Sequence, residues 1–128
     1  MPFPLAAAVT LLTALLYAGC ILLVGWARWR YGIKAPAIVG HPIFERAYRV
    51  QANTLEQMPV FLPSLWLAAW LYSDQVAAAL GAAFIAFRIL YAVLYLRAAQ
   101  SRGIAYGPGA LCMVALWALA VIGLLARL

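Results

Sequence analysis

Residues 44–72 read FERAYRVQANTLEQMPVFLPSLWLAAWLY. The first half is polar and charged; the second half, residues 58–72, is apolar. The apolar half alone is short for crossing a hydrocarbon core of about 30 Å, which takes about 20 helical residues. The pattern predicts one long helix that continues through the polar half. Its polar groups must then face protein or water, because lipid offers them no partner. Pro59 and Pro63 each remove a backbone donor, which predicts a kink near mid-helix.

The flanking sequence fits a membrane setting. Of 128 residues, 69% are hydrophobic and 9% are charged, against roughly 45–50% and about 25% in a soluble domain. A small soluble fold has too little interior to hide so much apolar surface. That excludes an ordinary cytosolic enzyme, a disordered tail and a disulfide scaffold. Four spans are expected, at 3–29, 44–72, 75–98 and 108–127, forming one all-α, multi-pass domain over residues 1–128. The links are a polar loop over 31–43, a tight turn at Ser73-Asp74 and a Gly/Ser loop over 99–107. A cleaved secretory signal needs a basic start and a shorter apolar core. The opening MPFPL carries no basic side chain, so the first span is read as retained. Cys20 and Cys112 sit in apolar runs and read as packed thiols.

Nine Lys and Arg against three Asp and Glu give a net charge of +6. No basic patch interleaved with aromatics lies outside the apolar runs, which argues against nucleic acid as a partner. Arg28, Arg30, Lys34, Arg46 and Arg49 flank the first loop, and Arg97 and Arg102 flank the third. By the positive-inside rule these loops face the cytoplasm, with both termini outside. Arg30 reads as a snorkelling anchor. Tyr31, Tyr72 and Tyr106 read as an interfacial belt. His41 has no partner at ligand spacing, so no metal site is expected.

Ionisable groups inside spans mark function by default. On the second helix, with Arg49 at zero and 100° per residue, Glu45 falls at about −40°, Asn53 at +40° and Glu56 at −20°. These four form one stripe, with Gln57 at its edge, and Glu45 lies within i, i+4 reach of Arg49. A self-neutralising network that glues helices together is the plainer reading. A cation, an amide and a carboxylate in sequence instead suit a zwitterionic ligand. On the third helix, with Arg88 at zero, Tyr91 falls at about −60°, Tyr95 at −20° and, if the helix persists, Arg102 at −40°. This second stripe reads as the lining of a pocket.

The segments FERAYRVQANTLEQMPVFLPSLW, from residue 44, and FRILYAVLYLRAAQSR, from residue 87, resemble the signatures of the MAPEG family (membrane-associated proteins in eicosanoid and glutathione metabolism). The resemblance covers nearly the whole chain. It implies a left-handed, up-down, integral membrane four-helix bundle assembled as a homotrimer, with glutathione held between neighbouring subunits. In the glutathione-using branch the positions of Arg49, Asn53 and Glu56 hold the peptide's charged ends and amide, and those of Tyr91 and Tyr95 line the same pocket; Gln57, at the edge of the second-helix stripe, is counted among the glutathione-binding residues. The position of Arg102 activates the thiol. Those of Arg28 and Gln51 contact glutathione from the adjacent subunit. Leukotriene-forming members have arginine where this chain has Trp29 and tyrosine where it has Gln57, which speaks against a leukotriene-specific role. Non-catalytic, lipid-binding members lack the arginine of Arg49 and carry aspartate in place of Glu56.

The resemblance thus implies a membrane-bound glutathione transferase. Glutathione is its co-substrate, no metal is needed, and a lipophilic electrophile or lipid hydroperoxide arrives from membrane lipid. A bacterial inner membrane, with the site towards the cytoplasm, is the expected location. The rival reading is a non-catalytic lipid-binding scaffold of the same architecture. A small drug exporter fits poorly, because the first span has no carboxylate. A structural subunit gives no reason for two charged stripes.

Overall fold

The computed structural model describes residues 2–128, with the main chain only for Arg102. Four helices follow one another: α1 (Pro4–Tyr31), α2 (Pro42–Leu71), α3 (Asp74–Arg97) and α4 (Gly103–Leu125). The first three start and stop within about two residues of expectation. Local chemistry sets those ends. Pro4 and Pro42 occupy first-turn positions, where the missing N–H costs nothing. Gly32 ends α1 in the left-handed conformation at φ 66°. Ser73 caps α3, its hydroxyl accepting from the Val76 amide.

The third link differs from the expected loop. Residues Ala99–Arg102 form a short 3-10 helix, and α4 starts directly after it at Gly103, with Pro108 inside. Gly103, Gly107 and Pro108 are local breakers, but tertiary packing outweighs them. Ala105 is fully buried against Cys20, Val50, Tyr91 and Tyr95, and that burial is available only to a helix already formed there.

α2 and α3 each pack against all three other helices. They form the centre of an all-α bundle, and α1 and α4 flank them. Away from the first and third links, the core is apolar: Phe61, Leu65 and Ala68 of α2 meet Phe84 and Ile85 of α3, Val9 of α1 and Leu116 of α4. The Phe61 and Phe84 rings stack with centroids 4.1 Å apart. Gly81 is required here, since a Cβ would come within 2.8 Å of Val9 and 2.9 Å of Leu65. Buried hydroxyls answer their own helices: Thr13 donates to the Val9 carbonyl and Ser64 to that of Val60.

The outer surface is the reverse of a soluble protein's. Leu11, Leu15, Leu22, Leu111, Val114 and Trp117 all point outward, Leu22 being 73% exposed. Among the described residues, α1, α3 and the stretch Ala99–Leu125 are long and apolar enough to cross a membrane. α2 is as long, at 30 residues, but its polar half excludes it from that class. It runs unbroken through Pro59 and Pro63, both on its exposed side. The protein is a helical membrane bundle.

Polar clamps tie helix ends together. The Asp74 carboxylate, at the start of α3, accepts the backbone amides of Leu5 (3.0 Å) and Ala6 (2.9 Å) in the first turn of α1. Arg46 of α2 donates to the Leu96 and Arg97 carbonyls at the end of α3. Arg127 donates to those of Trp70 and Leu71 at the end of α2. Each places a charge where a helix leaves complementary groups unpaired.

Candidate functional site

The polar stripes of α2 and α3 meet in the half of the bundle nearest the first and third links. Between them lies a cavity of about 750 Å³, lined by Arg49, Asn53, Glu56, Gln57, Tyr91, Tyr95, Gly103 and Tyr106. Small-molecule sites typically measure about 300–1,000 Å³.

The helical period accounts for this lining. Arg49, Asn53 and Glu56 share one face of α2 and span seven positions, about 10 Å along the axis. Arg49 and Glu56 are exposed to the cavity, whereas Thr54, next to Asn53, points inward and is buried. Neither Arg49 nor Glu56 forms an ion pair or hydrogen bond with another described side chain, so a guanidinium and a carboxylate stand separately on one wall. From α3, Tyr91 is 2% and Tyr95 8% exposed. The Asn53 amide donates to the Tyr91 hydroxyl at 2.6 Å, which joins the two walls. The Tyr91 ring lies 5.6 Å from Tyr95 and 6.2 Å from Tyr106, centroid to centroid.

Six of the expected residues therefore come together: Arg49, Asn53, Glu56, Gln57, Tyr91 and Tyr95. Two do not line the cavity. Arg28 donates to the Ala37 carbonyl at 2.7 Å and lies over the Phe44 ring. Gln51, on the opposite face of α2 from Arg49, donates to the Tyr17 hydroxyl at 3.4 Å.

Three expectations need correction. Glu45 does not pair with Arg49; its carboxylate turns back to accept the Gly40 amide at 3.0 Å, so the stripe splits at its first turn. The helical wheel does not carry Arg102 onto the α3 stripe. Ala98 is extended, at φ −152° and ψ 108°, and ends the helix before Arg102 is reached. The side chain of Arg102 lies outside the described residues. Tyr106 lines the cavity rather than serving only an interfacial belt. It and Gly103 were not assigned to the site from sequence, because the early start of α4 that brings them there is hidden behind glycines and a proline. That start also sets the positive end of the α4 dipole beside the cavity.

A wall that offers a cation, a carboxylate, two amides and three phenols suits a small, polar, zwitterionic ligand. Comparison with known proteins bears on which ligand. The profile of the MAPEG family matches residues 6–122. The chain is 43% identical to an uncharacterized protein of the cyanobacterium Synechocystis over 95% of this chain and 89% of that protein. It is 41% identical to the human microsomal glutathione S-transferase 2 over 77% of this chain and 67% of that enzyme. It is 40% identical to the leukotriene C4 synthase of Bos taurus over 96% and 82%, respectively.

Proposed function

The chain belongs to the MAPEG family, and from that premise we propose that it is a membrane-bound glutathione transferase acting on lipophilic electrophiles. One observation carries the reading: a single cavity presents Arg49 and Glu56, neither paired with another described side chain, with Asn53 and the tyrosines between them. Glutathione has two carboxylates, one ammonium and one thiol. Arg49 pairs with a carboxylate and Glu56 with the α-ammonium. Asn53, Gln57, Tyr91 and Tyr95 hydrogen-bond the peptide. Arg28 and Gln51 reach the same ligand from the adjacent subunit of a homotrimer.

The thiol must ionise before it attacks, and a free thiol has a pKa of about 8.5. A cation a few ångströms from sulfur lowers that value by about 1–3 units. Arg102 supplies that cation, with Arg28 the next candidate. Its segment follows the break at Ala98 and borders Gly103, which lines the cavity. The thiolate sulfur bonds to the electrophilic carbon, and the displaced group leaves with the electron pair of the broken bond. The electrophile enters from the bilayer through an apolar cleft between subunits, which the apolar outer surface favours. The cavity opens towards the cytoplasmic side, the side of the basic links.

The reading also accommodates reduction of lipid hydroperoxides, since both reactions start from the thiolate. Purified protein in lipid is assayed for glutathione consumption with a lipophilic aryl halide and, separately, with a lipid hydroperoxide. Turnover with the halide supports the transferase. Turnover with the hydroperoxide alone makes the enzyme a peroxidase. Absence of both overturns the enzymatic reading and leaves a lipid-binding scaffold.

A further inference from the structure

Arg88 lies in the middle of α3 and is only 3% exposed. Burying a guanidinium in a membrane bundle is costly unless it is paired. Among the described residues no carboxylate pairs with it. Its Nη2 donates to the Thr54 hydroxyl at 2.7 Å, and its Nε and Nη1 have no hydrogen-bond partner among the described residues. Its guanidinium carbon lies over the Tyr91 ring, 4.2 Å from the centroid.

These contacts close a loop between two helices. Thr54 accepts from Arg88 and donates to the Val50 carbonyl at 2.7 Å, which fixes its hydroxyl. Arg88 holds the ring of Tyr91 from beneath. The hydroxyl of Tyr91 in turn accepts from Asn53, and Asn53 is the neighbour of Thr54 on α2. Arg88 and Tyr91 of α3 thus grip two successive residues of α2. Only Asn53 and Tyr91 of this set reach the cavity. A helix–helix contact made merely for stability would be met as well by an apolar pair, without the desolvation cost.

We propose that Arg88 is a positioning residue of the glutathione site: it fixes the Tyr91 ring from below and, through the Tyr91 hydroxyl, the amide of Asn53. This role rests on the glutathione reading above. Its signature is that Arg88 affects glutathione binding more strongly while Asn53 is present, because without Asn53 only Tyr91 relays its effect to the cavity.

The test is a double-mutant cycle read by calorimetry with glutathione on the purified, lipid-embedded protein. Arg88→Met is expected to weaken binding about tenfold, the range of a lost hydrogen-bonding network. In an Asn53→Ala background the same change is expected to cost no more than about threefold, since only the direct contact of Tyr91 is then left to disturb. Equal weakening in both backgrounds overturns the proposal, because a general loss of structure would act regardless of Asn53. Unchanged affinity in Arg88→Met alone overturns it as well. Should Arg88→Met fail to fold, Thr54→Val takes its place. That variant removes the acceptor that orients Arg88 while keeping side-chain shape, and about threefold weaker binding, reduced in the Asn53→Ala background, is expected. An effect independent of Asn53, or none, overturns the proposal there too. Absence of glutathione binding by the unmodified protein overturns the glutathione reading and this role together. Binding by the unmodified protein with an inert Arg88 overturns this role alone.

Discussion

The amide of Asn53 donates to the hydroxyl of Tyr91 at 2.6 Å, across the seam between α2 and α3. The contact brings the two polar stripes into register and fixes which groups the cavity presents. Arg49 lies one turn to one side of Asn53 on α2, and Glu56 about one turn to the other. The cavity thus presents an amide and a phenol at its centre, flanked by Arg49 and Glu56, which pair with no other described side chain.

Arg49 is exposed and forms no ion pair or hydrogen bond with another described side chain, so its loss should cost binding without costing stability. Arg49→Gln is expected to weaken glutathione binding about 10–100-fold, the range for a charge-assisted hydrogen bond. Thermal stability should change by less than about 0.5 kcal/mol. Calorimetry and a melting curve on the same preparation check both.

Glu56 is assigned to the ammonium, and an analogue tests that assignment. Glu56→Gln is expected to weaken glutathione by about tenfold or more. A glutathione analogue lacking the α-amine should bind the variant and the unmodified protein alike. Weakening of both ligands by the same factor would show that Glu56 acts on something other than the amine.

The role given to Arg102 has a defined pH signature. A cation beside sulfur favours the anion, so the bound thiol ionises at lower pH than free glutathione. Arg102→Ala removes that cation and raises the thiol pKa by about 1–3 units. The thiolate ultraviolet band of bound glutathione should therefore fade near neutral pH and return as the pH rises. Activity should follow the same shift. An unchanged band would assign activation to another group, with Arg28 next in line.

Packing at the far end of the bundle makes a prediction about stability. A Cβ on Gly123 would lie 2.5 Å from the Leu71 carbonyl oxygen and 2.7 Å from its carbon. Helix propensity alone favours Gly123→Ala by about 1 kcal/mol. The clash is with backbone at the α2 end that Arg127 also caps, so it cannot be relieved by a rotamer change. Gly123→Ala is expected to lower stability by about 1–3 kcal/mol. A rise in melting temperature would contradict this packing.

Much of this was legible in the chain. Residues 44–72 disclosed a helix with one charged and one apolar half, because charges inside apolar runs are expensive and a 3.6-residue period gathers them on one face. The inward set Arg88, Tyr91 and Tyr95 followed from the same period. What escaped detection depended on non-local forces. The start of α4 was masked by Gly103, Gly107 and Pro108, whose local preference yields to the burial of Ala105. Tyr106 was misplaced for the same reason. Glu45 lies on the stripe in projection, yet the nearby Gly40 amide offers its carboxylate a closer partner than Arg49 does. The turn at Ala98 likewise breaks a helical projection that assumed an unbroken α3.

The most direct measurement is the heat of glutathione binding to well-folded protein in detergent or lipid at neutral pH. Saturable heat, one site per subunit at most, with proton release as the thiol ionises, is the predicted result. No heat up to millimolar glutathione, from a sample that melts cooperatively, would contradict the account.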